Sequence, residues 1–146
     1  MERIEGLVAD ATGKGAKVLT GGKRLKQDGF YFPPTVLSGV PADAAMMRAE
    51  IFGPVAAIAT FDTENEAIAA ANDTEYGLIA YVYTRDLARG LRVSEKVDSG
   101  MVGLNRGVVS DPAAPFGGVK QSGLGREGAH HGIMEFCETK YIAVSW

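Results

Sequence analysis

Disulfide chemistry is closed to this chain, because its 146 residues contain a single cysteine and one thiol cannot staple a fold. Structural zinc is excluded on similar grounds. The two histidines are adjacent, at 130 and 131, and no second cysteine stands at metal-ligand spacing from them. Positive charge is not in excess: 15 Lys and Arg against 18 Asp and Glu give a net charge of -3. A polyanion such as nucleic acid is therefore not an expected partner. No apolar run approaches the roughly eighteen residues of a membrane span. The first ten residues, MERIEGLVAD, carry acids and no hydrophobic export segment. Neither insertion nor export is signalled, and a cytoplasmic location is the expectation.

What is abundant is glycine, 19 residues against 6 prolines, with no low-complexity run. Such usage points to tight turns and close backbone approaches rather than disorder. The length is that of one ordinary domain, or of one piece of a larger one, and no linker composition divides it. Ile4, Leu7, Val8 and Ala11 recur at i, i+3, i+4 and i+7 and predict a helix over residues 2–13. Residues 16–20 and 32–37 read as short strands, the second pushed toward a sheet edge by Pro33 and Pro34. Asp43 is placed to cap a short helix through Met47. The apolar run VAAIATF, 55–61, reads as a strand covered on both faces. Thr63 and Glu66 fit a capping box that opens a helix to about Asn72. A strand at 81–84, a helix at 86–97 with Leu87 and Leu91 on one side, and a strand at 101–104 follow. A helix near 127–135 and a terminal strand, Lys140 to Ser145, complete the chain. Strand and helix alternating from 55 to 104 predict an α/β fold with a mostly parallel sheet and flanking helices.

The irregular stretch from Asn105 to Gly125 is long for a loop without a task, and it follows a strand end, where open α/β sheets place ligands. Within its closing part, GLGREG at 123–128 fits the dinucleotide fingerprint letter for letter. Its context does not fit, since polar Lys120-Gln121-Ser122 precedes it and no acidic residue can follow about 20 residues on. These glycines are expected to turn the chain and start the last helix. Lys120 lacks a phosphate-loop frame and reads as a backbone brace. A reactive thiolate needs a helix N-terminus or cationic neighbours. Cys137 has Glu135 and Glu138 instead, and is expected to be a half-buried filler. His130 and His131 have no convergent carboxylate. Arg126 and Glu138 are expected to pair across the last helix. Glu50, in EIFGP, is held before a rigid Gly-Pro turn. If that segment is extended, Phe52 shares its face, an arrangement suited to a ribose hydroxyl and a flat heterocycle.

Three segments then act together: EIFGPV at 50–55, NDTEYGLIAYVYTRD at 72–86, and GMVGLNRGVVSDPAAPFGGVKQSGLGREG at 100–128. They resemble the C-terminal part of NAD(P)-dependent aldehyde dehydrogenases, and the third is most similar to the succinate-semialdehyde dehydrogenase branch. The resemblance spans 1–146 and implies the C-terminal portion of the catalytic domain, ending in an oligomerisation strand at about 139–145. It implies a cofactor-binding role for Glu50 at the nicotinamide ribose and for Phe52 at the nicotinamide. It implies a substrate-binding role for Ser110 at the carboxylate of succinic semialdehyde and for Phe116 in the aldehyde tunnel. Arg106 is not carried over, because the family pattern varies there. NAD or NADP is the implied cofactor, a small-molecule aldehyde the implied partner, and a homo-oligomer the implied assembly. The nucleophilic cysteine, the general-base glutamate and the Rossmann domain of that family match nothing here, and Cys137 is not at the nucleophile position. The chain alone is expected to be inactive and to expose apolar surface. The alternative is a noncatalytic binding or oligomerisation module with the same fold.

Overall fold

The four apolar residues of the first periodic segment produce helix α1 (Glu2–Gly13), and Ile4, Leu7, Val8 and Ala11 are all buried. In this computed structural model, which describes residues 1–146, the chain divides into two compact units, Met1–Thr74 and Glu75–Trp146.

In the first unit, β1 (Lys17–Thr20), β2 (Thr35–Ser38) and β3 (Val55–Ile58) form a sheet in that order. β1 runs antiparallel to β2 with an irregularity between Val18 and Thr20. β2 runs parallel to β3, Thr35 opposite Val55 and Ser38 opposite Ile58. Pro33 and Pro34 lie just ahead of β2, so no ladder donor is lost and β2 takes the centre of the sheet rather than its edge. Its Leu37 is fully buried and packs with Leu7, Val8, Ala11, Val40, Ala44 and Met46. Thr35 is buried beside it and satisfied: its hydroxyl donates to the Pro33 carbonyl at 2.9 Å and accepts from the Gly22 N–H at 2.8 Å. β3 corrects a second expectation. Val55 and Ala57 pack on the core, while Ala56 and Ile58 stand exposed, because nothing in the chain covers that face.

The short helix near Met47 is one 3-10 turn, Ala45–Met47. Its first N–H is not capped by Asp43. Asp10 of α1 supplies the carboxylate, 2.7 Å from the Ala45 nitrogen, and Lys14 pairs with Asp10 at 3.1 Å. The Ala45 N–H, then the Lys14 ammonium, hold the Asp10 carboxyl below the ordinary carboxylate range. Helix α2 (Glu64–Asn72) opens on the expected capping box, with the Thr63 hydroxyl accepting from the Glu66 N–H and the Glu66 carboxylate accepting from the Thr63 N–H. The guanidinium of Arg48 grips Asp73, just beyond its end, with two bonds of 3.1 and 2.6 Å.

The second unit holds two small sheets. β4 (Tyr76–Gly77) pairs antiparallel with β7 (Val119–Lys120), and β5 (Ile79–Val82) pairs parallel with β6 (Met101–Leu104). Helix α3 (Leu87–Lys96), N-capped by Asp86, makes the crossover from β5 to β6. Gly90 lets it approach closely, since a Cβ there would come within 2.8 Å of Leu104. α4 (Ala129–Met134) closes the regular structure. The fold is α/β, but as three small sheets with two parallel and two antiparallel pairings. Leu87 and Leu91, on one side of α3, are 68% and 53% exposed. Residues 138–146 form no strand within the chain, and every residue from Ile133 onward is exposed. No helix is long and apolar enough to cross a membrane.

Candidate functional site

The 105–128 loop is organised by main-chain contacts. Asn105, at φ +53, ends β6 and clamps the neighbouring β5 extension: its Oδ1 accepts from the Thr84 N–H at 2.9 Å and its Nδ2 donates to the Thr84 carbonyl at 2.8 Å. The loop then bends at Asp111, whose carboxylate accepts from the Ala113 N–H. Phe116 exchanges both main-chain hydrogen bonds with Glu127, at 2.7 and 2.8 Å. Arg126 does not reach Glu138. Its Nη1 donates to the carbonyls of Gly118 and Gly125 at 2.7 and 2.6 Å, and Glu135 accepts from its backbone N–H. A guanidinium satisfied by loop carbonyls ties the two glycine turns to each other.

This scaffold brings two of the sequence-derived residues together. Ser110 and Phe116 line one open cleft of about 290 Å³, with Pro112, Ala114 and Glu127. Phe116 also borders a larger cavity of about 430 Å³, lined by Leu78, Leu124 and Phe136 together with Arg126, Glu127 and Glu135. Asp111 and Gly128 complete the lining of the smaller cleft, so a hydroxyl and an aromatic ring share it with two acidic residues.

Glu50 and Phe52 belong to the first unit. Glu50 is exposed, and so is Phe52, with 82% of its surface open. The premise of an extended segment fails, because Phe52 has φ +46. The alternation that would place both side chains on one face requires extended backbone, so their relation is set by a left-handed bend instead.

The remaining candidates resolve simply. Gly123, Gly125 and Gly128 all have positive φ, and Gly128 precedes α4, so the GLGREG glycines do turn the chain into its last helix. Lys120 pairs with the Asp98 carboxylate at 3.4 Å. Cys137 is exposed, not half-buried, because no segment of the chain packs on it; its Sγ lies 3.4 Å from the Ile133 carbonyl. His130 and His131 lie edge to face on α4, with ring centroids 6.4 Å apart. Asn105 and Arg126 escaped the sequence reading of the site. Their partners are main-chain atoms, which leave no residue pattern to find.

Known proteins bear on this geometry. The chain is similar to the succinate-semialdehyde dehydrogenase of Paenarthrobacter nicotinovorans, 54% identical over 97% of this chain and 32% of the relative. It is similar to the glutarate-semialdehyde dehydrogenase of Pseudomonas aeruginosa, 50% identical over 97% of this chain and 29% of the relative. Among solved structures, an NADP dependent enzyme of E. coli superposes with a TM-score of 0.94 at 48% identity, covering 99% of this chain and 30% of that one. The chain thus spans about a third of the length of the curated relatives it matches. A profile of the aldehyde dehydrogenase family matches residues 1–142, and on that match the chain belongs to the aldehyde dehydrogenase family.

Proposed function

We propose that these residues serve, as the C-terminal part of the catalytic domain, an NAD(P)-dependent aldehyde dehydrogenase that oxidises succinic semialdehyde or a similar acid-terminated aldehyde to the carboxylate. The observation that most supports this reading is the single cleft shared by Ser110 and Phe116. A serine hydroxyl can donate a charge-assisted hydrogen bond to a substrate carboxylate. An aromatic wall excludes water from the aliphatic stem. Phe116 thus shapes the tunnel, and Ser110 reads the charged end. A relative named for glutarate semialdehyde is consistent with a site that recognises a terminal carboxylate more strictly than chain length.

The donor set fits a nicotinamide cofactor. Glu50 is an exposed acceptor for ribose hydroxyls, and Phe52 presents a planar ring to solvent on a fixed backbone. When bound, that cofactor supplies the hydride acceptor. The chain's own part is orientation: the carboxylate of Glu50 holds the sugar, and Phe52 offers a surface for the heterocycle. The thiolate nucleophile and the base for hydrolysis belong to family segments that these motifs do not include. The exposed tail at 139–145, rich in Tyr, Ile and Val, is read as a strand that pairs with a second copy, in a cytoplasmic homo-oligomer.

The test uses a hybrid enzyme, this chain joined to the remainder of the Paenarthrobacter relative. Ser110→Ala is expected to raise KM for succinic semialdehyde about ten-fold, the worth of one hydrogen bond to a charged group, and to leave butanal oxidation unchanged. Equal effects on the two aldehydes, or none, would remove Ser110 from the site.

A further inference from the structure

Helix α1 carries a cation where helix energetics do not want one. Arg3 stands in its first turn, at the positive end of the helix dipole. Its side chain leaves the helix and donates from Nη2 to the main-chain carbonyl of Glu50. The next residue, Ile4, lies against Gly53, where a Cβ would come within 2.5 Å of Ile4 Cδ1. A side chain at this position would require the tip of Ile4 to shift for the loop to sit this close to the helix. At the far end, the Thr35 N–H donates to the Pro54 carbonyl and the Val55 N–H to that of Gly53, both at 2.8 Å. Residues 50–54 are therefore clamped by α1 on one side and by the start of β2 on the other.

Phe52 sits within that clamp at φ +46 with its ring in solvent. Left-handed backbone is costly for a bulky residue and persists only where the surroundings impose it. An exposed phenylalanine gains little from burial in return, so the stability of the chain does not account for the arrangement. Presentation of the ring and of the adjacent carboxylate does.

We propose that Arg3 is a positioning residue for the cofactor: by holding the Glu50 carbonyl it presets the Glu50 carboxylate and the Phe52 ring for the ribose and the nicotinamide. The proposal rests on the reading that Glu50 and Phe52 meet the cofactor. Arg3 itself touches neither substrate nor cofactor.

Two measurements test it. In the 146-residue chain, Arg3→Ala should accelerate amide hydrogen exchange across residues 50–55 while leaving α2 unchanged, and Arg3→Lys, still a donor, should restore most of the protection. In the hybrid enzyme, Arg3→Ala should raise KM for NAD(P) about five-fold, the worth of one ordinary hydrogen bond, with KM for succinic semialdehyde within about two-fold of the parent. Unchanged exchange at 50–55, or equal increases in both KM values, would overturn the latch. The companion variant Glu50→Gln separates the two ideas. If it raises the cofactor KM while Arg3→Ala does not, the latch alone is wrong. If Glu50→Gln leaves the cofactor KM untouched, the cofactor reading falls first.

Discussion

The purified 146-residue chain is expected to reduce neither NAD nor NADP in the presence of succinic semialdehyde, at a sensitivity that would register a rate on the order of 10⁶-fold below a complete enzyme. Aldehyde oxidation in this family depends on a covalent adduct with a thiolate, and losing the nucleophile removes that route outright. The only sulfur nucleophile here is Cys137. It lies just past α4, between Glu135 and Glu138, with a carbonyl oxygen 3.4 Å from its sulfur. The cleft formed by Ser110 and Phe116 is lined by other residues altogether. Turnover by the purified chain that disappears in Cys137→Ser would show that this sulfur is the nucleophile after all, and the assignment of roles above would have to be abandoned.

The second large effect is on the scaffold of the cleft lined by Ser110 and Phe116. Gly100→Ala is expected to unfold the second unit, with a loss of about 3 kcal/mol or more. A Cβ at Gly100 would land on the Gly117 carbonyl oxygen, with the Gly118 Cα at 2.7 Å. Both obstacles are main chain, so no rotamer change relieves them. Retreat is blocked as well, because the Gly100 N–H donates to the Gly77 carbonyl at 2.9 Å, and Gly77 is itself crowded by the Asp98 carbonyl. These glycines precede β6 and follow Phe116, so the clash strikes the loop that carries the aromatic wall. Gly6→Ala is the control: it lies within α1 with open space around it and should stabilise by about 1 kcal/mol through helix propensity. Thermal melting with hydrogen exchange resolved by segment should show protection lost from residues 75–120 in Gly100→Ala and kept in Gly6→Ala. A Gly100→Ala melt within a degree of the parent would mean that the glycines are not in close contact.

Local signals in the sequence translated well into structure. The face of Ile4, Leu7, Val8 and Ala11 and the capping box of Thr63 and Glu66 concern residues within one or two helical turns, where sequence distance and spatial distance agree. Long-range choices were less legible. Asp43 has the right chemistry to cap the 3-10 turn, yet Asp10 takes that place from 35 residues away, since only the packing of α1 on the turn decides between them. The apolar run of β3 reads as doubly covered, and Cys137 as half-buried, because composition records what a segment prefers to bury and not what is present to bury it. Phe116 was legible as an aromatic wall of the long loop, whereas Ser110 was nameable only through the family resemblance. Their convergence depends on Asn105 and Arg126 gripping main-chain carbonyls and amides, contacts that no residue pattern advertises. Phe52 was legible as a ring near Glu50, while its left-handed backbone was not, because nothing in EIFGP other than the following glycine hints at a bend.

The central claim is that this chain supplies a cofactor-holding carboxylate and an aldehyde-lining wall to a catalyst whose reactive sulfur lies in other family segments. Steady-state NAD(P) reduction by the hybrid of this chain with the remainder of the Paenarthrobacter relative tests it most directly. Succinic-semialdehyde-dependent turnover comparable to that of the relative, with Cys137→Ser silent and Phe116→Ala impaired, is the predicted result. A folded hybrid that binds neither cofactor nor aldehyde, or one whose activity is indifferent to Glu50, Ser110 and Phe116 alike, would contradict it.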